Sequence, residues 1–268
     1  MKAYLITGAG TGIGRATALR LAAPGVSIAV SYSRSADAAQ AVAAECGQRG
    51  ARTLLVCADV ARDEDCRAMA RTTLEAFGRL DGLVNNAGTT RYVPAGDLDA
   101  VDAHDFESIY RVNVVGPWQV SRACADALRA AGGAIVNVSS ASAFDGMGSS
   151  PAYAASKAAL NNLTLSLARA LAPQVRVNAV CPGFVETDWQ VRGQGADRYD
   201  AVRQRVAQSA ALQATLTADD VAESIVWMLG QPKATGQCVL IDAGRQLGRL
   251  TSSTAATTRS GDTRSGSA

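Results

Sequence analysis

Short runs of apolar and β-branched residues alternate along this chain with longer Ala-rich stretches whose apolar positions recur at helical spacing. The short runs are Ala3 to Thr7, Val26 to Tyr32, Thr53 to Cys57, Leu83 to Asn85, Ala134 to Ser139, Val175 to Cys181 and Cys238 to Ile241. Their length and side-chain type predict strands. Between them, Gly14 to Ala23, Asp37 to Arg49, Asp63 to Phe77, Phe106 to Ala131, Tyr153 to Ala172 and Asp219 to Leu229 read as helices. Strand and helix in turn predict an α/β fold with a doubly wound, seven-stranded parallel sheet and helices on both faces, because a helix returns the chain to the next parallel strand. The strand runs are almost wholly apolar, as a sheet buried on both sides requires.

No linker interrupts this pattern, so residues 1–250 are expected to form a single domain. Residues 251–268 hold five Thr, five Ser and no aromatic, Val, Ile, Leu or Met, which leaves too little apolar surface to offset the entropy of ordering, and they are expected to be a disordered tail.

Composition narrows the possible partners. With 26 basic and 24 acidic side chains and no cluster of either sign, the chain has no basic field for nucleic acid or a membrane surface. It runs straight from Met1 into the first strand and has no apolar stretch of membrane-spanning length, which predicts a cytoplasmic protein. The six cysteines lack a C-x-x-C pair, so free thiols are expected rather than a zinc site or a disulfide framework. His104 is the sole histidine, which excludes a multi-histidine metal site and any two-histidine mechanism. Placed between Asp102 and Asp105, it reads as a surface or helix-capping residue.

Candidate chemistry gathers at predicted strand ends. The first strand runs into Thr7-Gly8-Ala9-Gly10-Thr11-Gly12-Ile13-Gly14 and then directly into a helix. Glycines at 8, 12 and 14 permit a sharp turn and close approach to a pyrophosphate, and the amides of the helix N-terminus point at its charge. The turn is not a P-loop, and Ile13 stands where G-x-G-x-x-G would place its third glycine. Asp59-Val60 follows the third strand, Asn85-Asn86-Ala87-Gly88 the fourth and Ser139-Ser140 the fifth. Ligands in such sheets bind at these carboxyl ends. Tyr153 and Lys157 stand four apart on one predicted helix face, where the cation is expected to favour the phenolate and lower the Tyr153 pKa.

In this order the motifs resemble those of the short-chain dehydrogenase/reductase family from Lys2 to about Gly248, with the 3-oxoacyl-carrier-protein reductases and related carbonyl reductases the most similar group. Thr7, Gly8, Gly12 and Gly14 match its glycine motif, Asn85 to Gly88 its N-N-A-G stretch and Pro182-Gly183 its P-G motif. The resemblance implies a Rossmann fold and a catalytic set of Asn113, Ser140, Tyr153 and Lys157, with Ser140 chosen over Ser139 because it lies thirteen residues before the tyrosine. It further implies a dinucleotide held by Gly8, Thr11, Gly12, Ile13, Gly14, Ser33, Arg34, Asp59, Val60, Asn86, Ala87, Gly88, Tyr153, Lys157, Pro182, Gly183, Val185 and Thr187. The second strand ends in Ser31-Tyr32-Ser33-Arg34-Ser35, with no acid before Asp37. An acid there would repel a 2′-phosphate, whereas Arg34 can embrace one, so NADP(H) is expected over NAD(H).

The function implied is hydride transfer between nicotinamide and a ketone or secondary alcohol, with Tyr153 as general acid/base. An NAD-dependent sugar or alcohol dehydrogenase is the alternative within the same chemistry, and a non-catalytic nucleotide sensor is the alternative of another class; the sensor reading conflicts with the retained Tyr153 and Lys157. Tyr92, Phe144, Met147, Trp189 and Tyr199 are candidate walls of a partly apolar pocket, and Glu186 to Thr215 is expected to be a mobile cover. The turns that would dock an acyl carrier protein retain one arginine, Arg129, which puts that partner in doubt. A homotetramer or homodimer is implied, built through the Phe106 to Ala131 and Tyr153 to Ala172 helices.

Overall fold

The structure, a computed structural model, describes residues 1–94 and 96–248. Seven parallel strands form the sheet: β1 (Lys2–Ile6), β2 (Val26–Tyr32), β3 (Arg52–Cys57), β4 (Gly82–Asn85), β5 (Ala134–Val138), β6 (Arg176–Pro182) and, after two short strands described below, β9 (Cys238–Ile241). Their order is β3-β2-β1-β4-β5-β6-β9. Chain direction across the sheet reverses at β1, whose Ile6 is in register with Val30 on one side and Val84 on the other. The predicted doubly wound Rossmann architecture is therefore the one adopted, with a topological switch point between β1 and β4.

Consecutive strand residues feed two separate cores. Ile6, Val84 and Val136 face α1 (Gly12–Leu21), α2 (Ala36–Gln48) and α10 (Ala218–Gly230), packing with Leu19, Val42 and Ile225. Their neighbours Leu5, Leu83 and Ile135 face α3 (Asp63–Phe77), α5 (Gly116–Ala131) and α7 (Pro151–Leu171), packing with Met69, Leu128 and Leu167. The two-residue period of a strand makes the division automatic, and it explains why these runs carry no polar alternation.

Helix ends follow local chemistry. Ser150 caps α7 by accepting from the Tyr153 amide at 3.2 Å, with Pro151 at the first helical position. Thr217 and Asp220 form a reciprocal capping box at the start of α10.

Three regions depart from the sequence reading. The expected continuous helix from Phe106 to Ala131 is α4 (Ala103–Tyr110), a π-helical turn (Arg111–Val115) and α5. Its start is set by Asp102 and Asp105, which exchange side-chain and backbone bonds as a capping box; His104 lies exposed in that first turn and caps nothing. The segment from Glu186 to Thr215, for which the sequence reading gave no helix, holds α8 (Asp188–Gln194) and α9 (Ala196–Ser209) between the two-residue strands β7 (Val185–Glu186) and β8 (Leu216–Thr217). A short helix, α6 (Ser142–Asp145), follows the fifth strand. No helix among the described residues is long and apolar enough to cross a membrane. The predicted tail lies outside the described residues.

Candidate active site

The carboxyl ends of β1 and β4 are joined by one hydroxyl. Thr7, buried at the end of β1, accepts from the Asn86 and Ala87 amides at 3.0 Å each, while Asn86 Nδ2 donates to the Thr7 and Gly8 carbonyls at 2.9 Å each. This lattice places the glycine turn against the Asn86 to Gly88 stretch. Gly8 (φ +62°) and Gly12 (φ +52°) occupy left-handed backbone that favours glycine. At Gly14 a Cβ would overlap the Gly8 carbonyl oxygen and come 2.5 Å from Asn86 Nδ2, so glycine is what lets α1 start this close to the strand. Across the turn, Thr187 lies 3.6 Å from where a Gly12 side chain would begin. Thr11 is exposed and Ile13 partly so, at the open N-terminus of α1.

The end of β2 borders the same turn. The Ser35 hydroxyl sits 3.0 Å from the Cβ position of Gly10, and the Ala9 amide donates to the Ser31 carbonyl at 2.8 Å. Ser33 and Arg34 are exposed there, and among the described residues Arg34 has no ion-pair partner. Asp59 at the end of β3 accepts from the Ala61 amide at 3.0 Å, whereas Val60 is buried against Gly116 of α5. Pro182 and Val185 are buried, and Gly183 packs on Asp242, so the β6 end closes the far side.

The four candidate catalytic residues converge beside this cradle. Asn113 is fully buried in the π-helical turn, a distortion that recurs at functional sites. Its Oδ1 accepts from the Thr89 amide at 2.8 Å, and its Nδ2 donates to the Thr89 carbonyl and to Ser156 Oγ, both at 3.0 Å. Ser156 in turn donates to the Tyr153 carbonyl at 2.7 Å, which ties the π-helical turn to α7. Lys157 is buried and donates from Nζ to the Val138 carbonyl at 2.8 Å. Both Asn113 Oδ1 (3.5 Å) and Lys157 Nζ (3.8 Å) flank the Cβ position of Gly88. Ser140 accepts from the Ser142 amide at 3.1 Å, and its hydroxyl lies 3.1 Å from that of Ser142.

The electrostatics correct one expectation. Burial pushes the Tyr153 hydroxyl above its ordinary value, and its hydrogen bond with Ser140 pulls it back. Lys157 does not supply the expected lowering. The causes acting on the Tyr153 hydroxyl do not include Lys157, whose own ammonium burial drops from 10.5 to about 8.

Of the candidate pocket walls, Tyr92, Trp189 and Tyr199 are partly buried, while Phe144 and Met147 are each 51% exposed. Tyr199 stacks at 6.2 Å on Phe184, a packing contact. Arg129 pairs with Asp126 at 2.9 Å. Sequence reasoning missed Thr89, Val138, Ser142 and Ser156. Two of these act through backbone groups, which leave no mark in composition. Ser156 alone was findable, since it stands inside the Tyr-to-Lys interval.

Comparison with known proteins identifies the family. Residues 2–195 match the short chain dehydrogenase family. A Streptomyces violaceoruber protein described as ketoacyl reductase 2 of the granaticin polyketide synthase is 39% identical over 91% of this chain and 95% of its own. The 3-oxoacyl-[acyl-carrier-protein] reductase of Synechocystis is 39% identical over 69% of this chain and 74% of its own. Among solved structures, a short-chain dehydrogenase/reductase from Burkholderia xenovorans superposes with a TM-score of 0.84 at 40% identity, covering 92% of this chain and 99% of that one. A xylitol dehydrogenase bound to NAD+ gives 0.83 at 28% identity, covering 91% and 98%. The chain thus belongs to the short-chain dehydrogenase family, whose members use NAD(P), and is an oxidoreductase acting on CH–OH or ketone groups.

Proposed function

We propose that the protein interconverts a ketone and a secondary alcohol with NADP(H), using Tyr153 as the proton donor and acceptor. The observation that carries this reading is the convergence of Ser140, Tyr153, Lys157 and Asn113 on the sheet edge that also holds the glycine cradle. The cradle fits a dinucleotide, because a side chain at Gly8, Gly12 or Gly14 would be strained or would overlap backbone where a pyrophosphate must approach. When bound, the dinucleotide supplies or accepts the hydride at the carbonyl carbon.

This chain's residues handle the proton and the oxygen. The Tyr153 hydroxyl gives its proton to the carbonyl oxygen as negative charge grows there, and removes it in the reverse direction. Ser140 donates to the same oxygen. Lys157, held by the Val138 carbonyl, would orient ribose hydroxyls, and Thr187 would hold the nicotinamide amide. Asn113 fixes Thr89 and α7 so that these groups keep their spacing. Arg34, without an ion-pair partner among the described residues, would take the 2′-phosphate, with Ser33 beside it.

Likeness to ketoacyl and 3-oxoacyl reductases supports β-oxo substrates as the class. Phe106, Tyr110, Trp118 and Leu165, each 37–46% exposed on α4, α5 and α7, suit assembly into a homotetramer, which light scattering would report. We place the enzyme in the cytoplasm. Oxidation of NADPH by a panel of ketones and β-ketoesters is the expected result. Tight NADPH binding without turnover of any carbonyl would overturn the reading in favour of a nucleotide sensor, and a clear NADH preference would overturn the choice of cofactor.

A further inference from the structure

We propose that Tyr92 determines substrate size by acting as a wall and latch between the catalytic tyrosine and α8, an inference that rests on the carbonyl-reduction reading above. The segment carrying Tyr92 is fastened on its inner side. Thr89 is held through both backbone groups by Asn113, Thr90 Oγ1 pairs with Ser149 Oγ, and the Val93 amide donates to the Ser149 carbonyl at 2.9 Å. From this anchored base the Tyr92 side chain reaches across to α8. Its hydroxyl donates to Gln190 Oε1 at 3.0 Å, and its ring packs so closely on Gly193 that a Cβ there would overlap three ring carbons. The ring therefore needs glycine at 193.

The base of Tyr92 adjoins the catalytic helix, because Ser149, which bonds Thr90 and Val93, precedes Ser150, whose hydroxyl accepts from the Tyr153 amide. Burial pushes the Tyr92 hydroxyl up to about 12, and the Tyr153 phenol adds to that rise. The Tyr92 segment thus borders the start of α7, where Tyr153 stands, while its phenol reaches the helix above it.

What α8 and α9 lack makes this contact decisive. Neither helix contains a fully buried residue. Both ends of the segment are pinned where β7 meets β8, with Val185 opposite Leu216 and Glu186 opposite Thr217, and where the Thr215 hydroxyl meets the Glu186 carboxylate. A segment pinned at its base and poor in apolar burial opens at low cost, so a hydrogen bond and a ring packed on Gly193 carry much of its closure at the α8 end. A substrate must fit beneath that ring or displace it.

Two variants of the full chain separate wall from latch. Tyr92→Ala is expected to raise kcat/KM for a bulky aryl ketone relative to a small aliphatic ketone at least tenfold, with the NADPH Kd unchanged; an unchanged ratio overturns the wall. Tyr92→Phe keeps the ring and loses the bond to Gln190, so trypsin should cut after Arg192 and Arg198 several-fold faster without substrate present. Gly193→Ala, which forces the ring away, should do the same. Cleavage at the wild-type rate in both variants overturns the latch. Because proteolysis needs no turnover, it tests Tyr92 even if no ketone is reduced, a result that would instead overturn the reading of the reaction.

Discussion

Lys157 and Tyr153 share a face of α7 without sharing a hydrogen bond: the ammonium lies 5.6 Å from the tyrosine ring centroid and donates instead to the Val138 carbonyl at 2.8 Å. The lysine is thereby fixed to β5, and the phenol is left to Ser140. Proton transfer and cation placement are separate tasks in this arrangement, and they respond differently to mutation and to pH.

Tyr153→Phe removes the only proposed proton donor and keeps the ring. Carbonyl reduction should fall by about 10²–10⁴-fold, the usual worth of a positioned acid, with NADPH affinity retained. Fluorescence titration and steady-state rates check both halves. Since burial raises the Tyr153 pKa, the hydroxyl stays protonated at neutral pH and reduction should persist there, whereas alcohol oxidation should climb as pH rises toward tyrosine ionisation.

The buried Lys157 makes stability depend on pH in a defined direction. Its folded-state pKa is depressed to about 8 from 10.5, so between those values the unfolded chain holds a proton that the folded chain lacks, and stability should rise with pH across that window. Below pH 8 the penalty for burying the charge is present in full, on the order of 3 kcal/mol at about 1.4 kcal/mol per pKa unit, less the benefit of the Val138 bond. Lys157→Met should therefore unfold at a higher temperature than the wild type at pH 7, by several degrees, with the gap closing toward pH 10.5. A variant that is less stable at pH 7 would contradict this.

Arg34→Ala should discriminate between the cofactors. Loss of charge-assisted bonds to a 2′-phosphate costs about 1.5–3 kcal/mol, or roughly 10–100-fold in KM for NADPH. KM for NADH should change less than about threefold on the same estimate, since that cofactor has no phosphate there. Equal losses for both cofactors would show that Arg34 acts elsewhere.

Gly14→Ala tests the cradle. The added methyl would overlap the Gly8 carbonyl oxygen and crowd Ala9 Cα at 2.9 Å, both of them backbone atoms with little room to yield. A loss of about 1–3 kcal/mol in stability, as overpacking costs, should accompany a sharp drop in dinucleotide affinity, measurable by thermal unfolding with and without NADPH.

Much of this molecule is written locally. The seven strands, the glycine turn and the motif residues at the strand ends are legible because period-two burial and glycine-dependent turns are properties of short segments. The π-helical turn around Asn113 is not legible, since one extra residue in a turn barely disturbs the apolar spacing on either side. Nor were α8 and α9, whose lack of a buried face leaves no stripe for a periodicity argument to find. Only the tertiary structure decided that Lys157 bonds Val138 and is pushed toward neutrality, that Ser142 and Ser156 join the site, and that Tyr92 bridges to Gln190. Desolvation and hydrogen bonding depend on which distant groups exclude water around an atom, and no spacing along one chain specifies that.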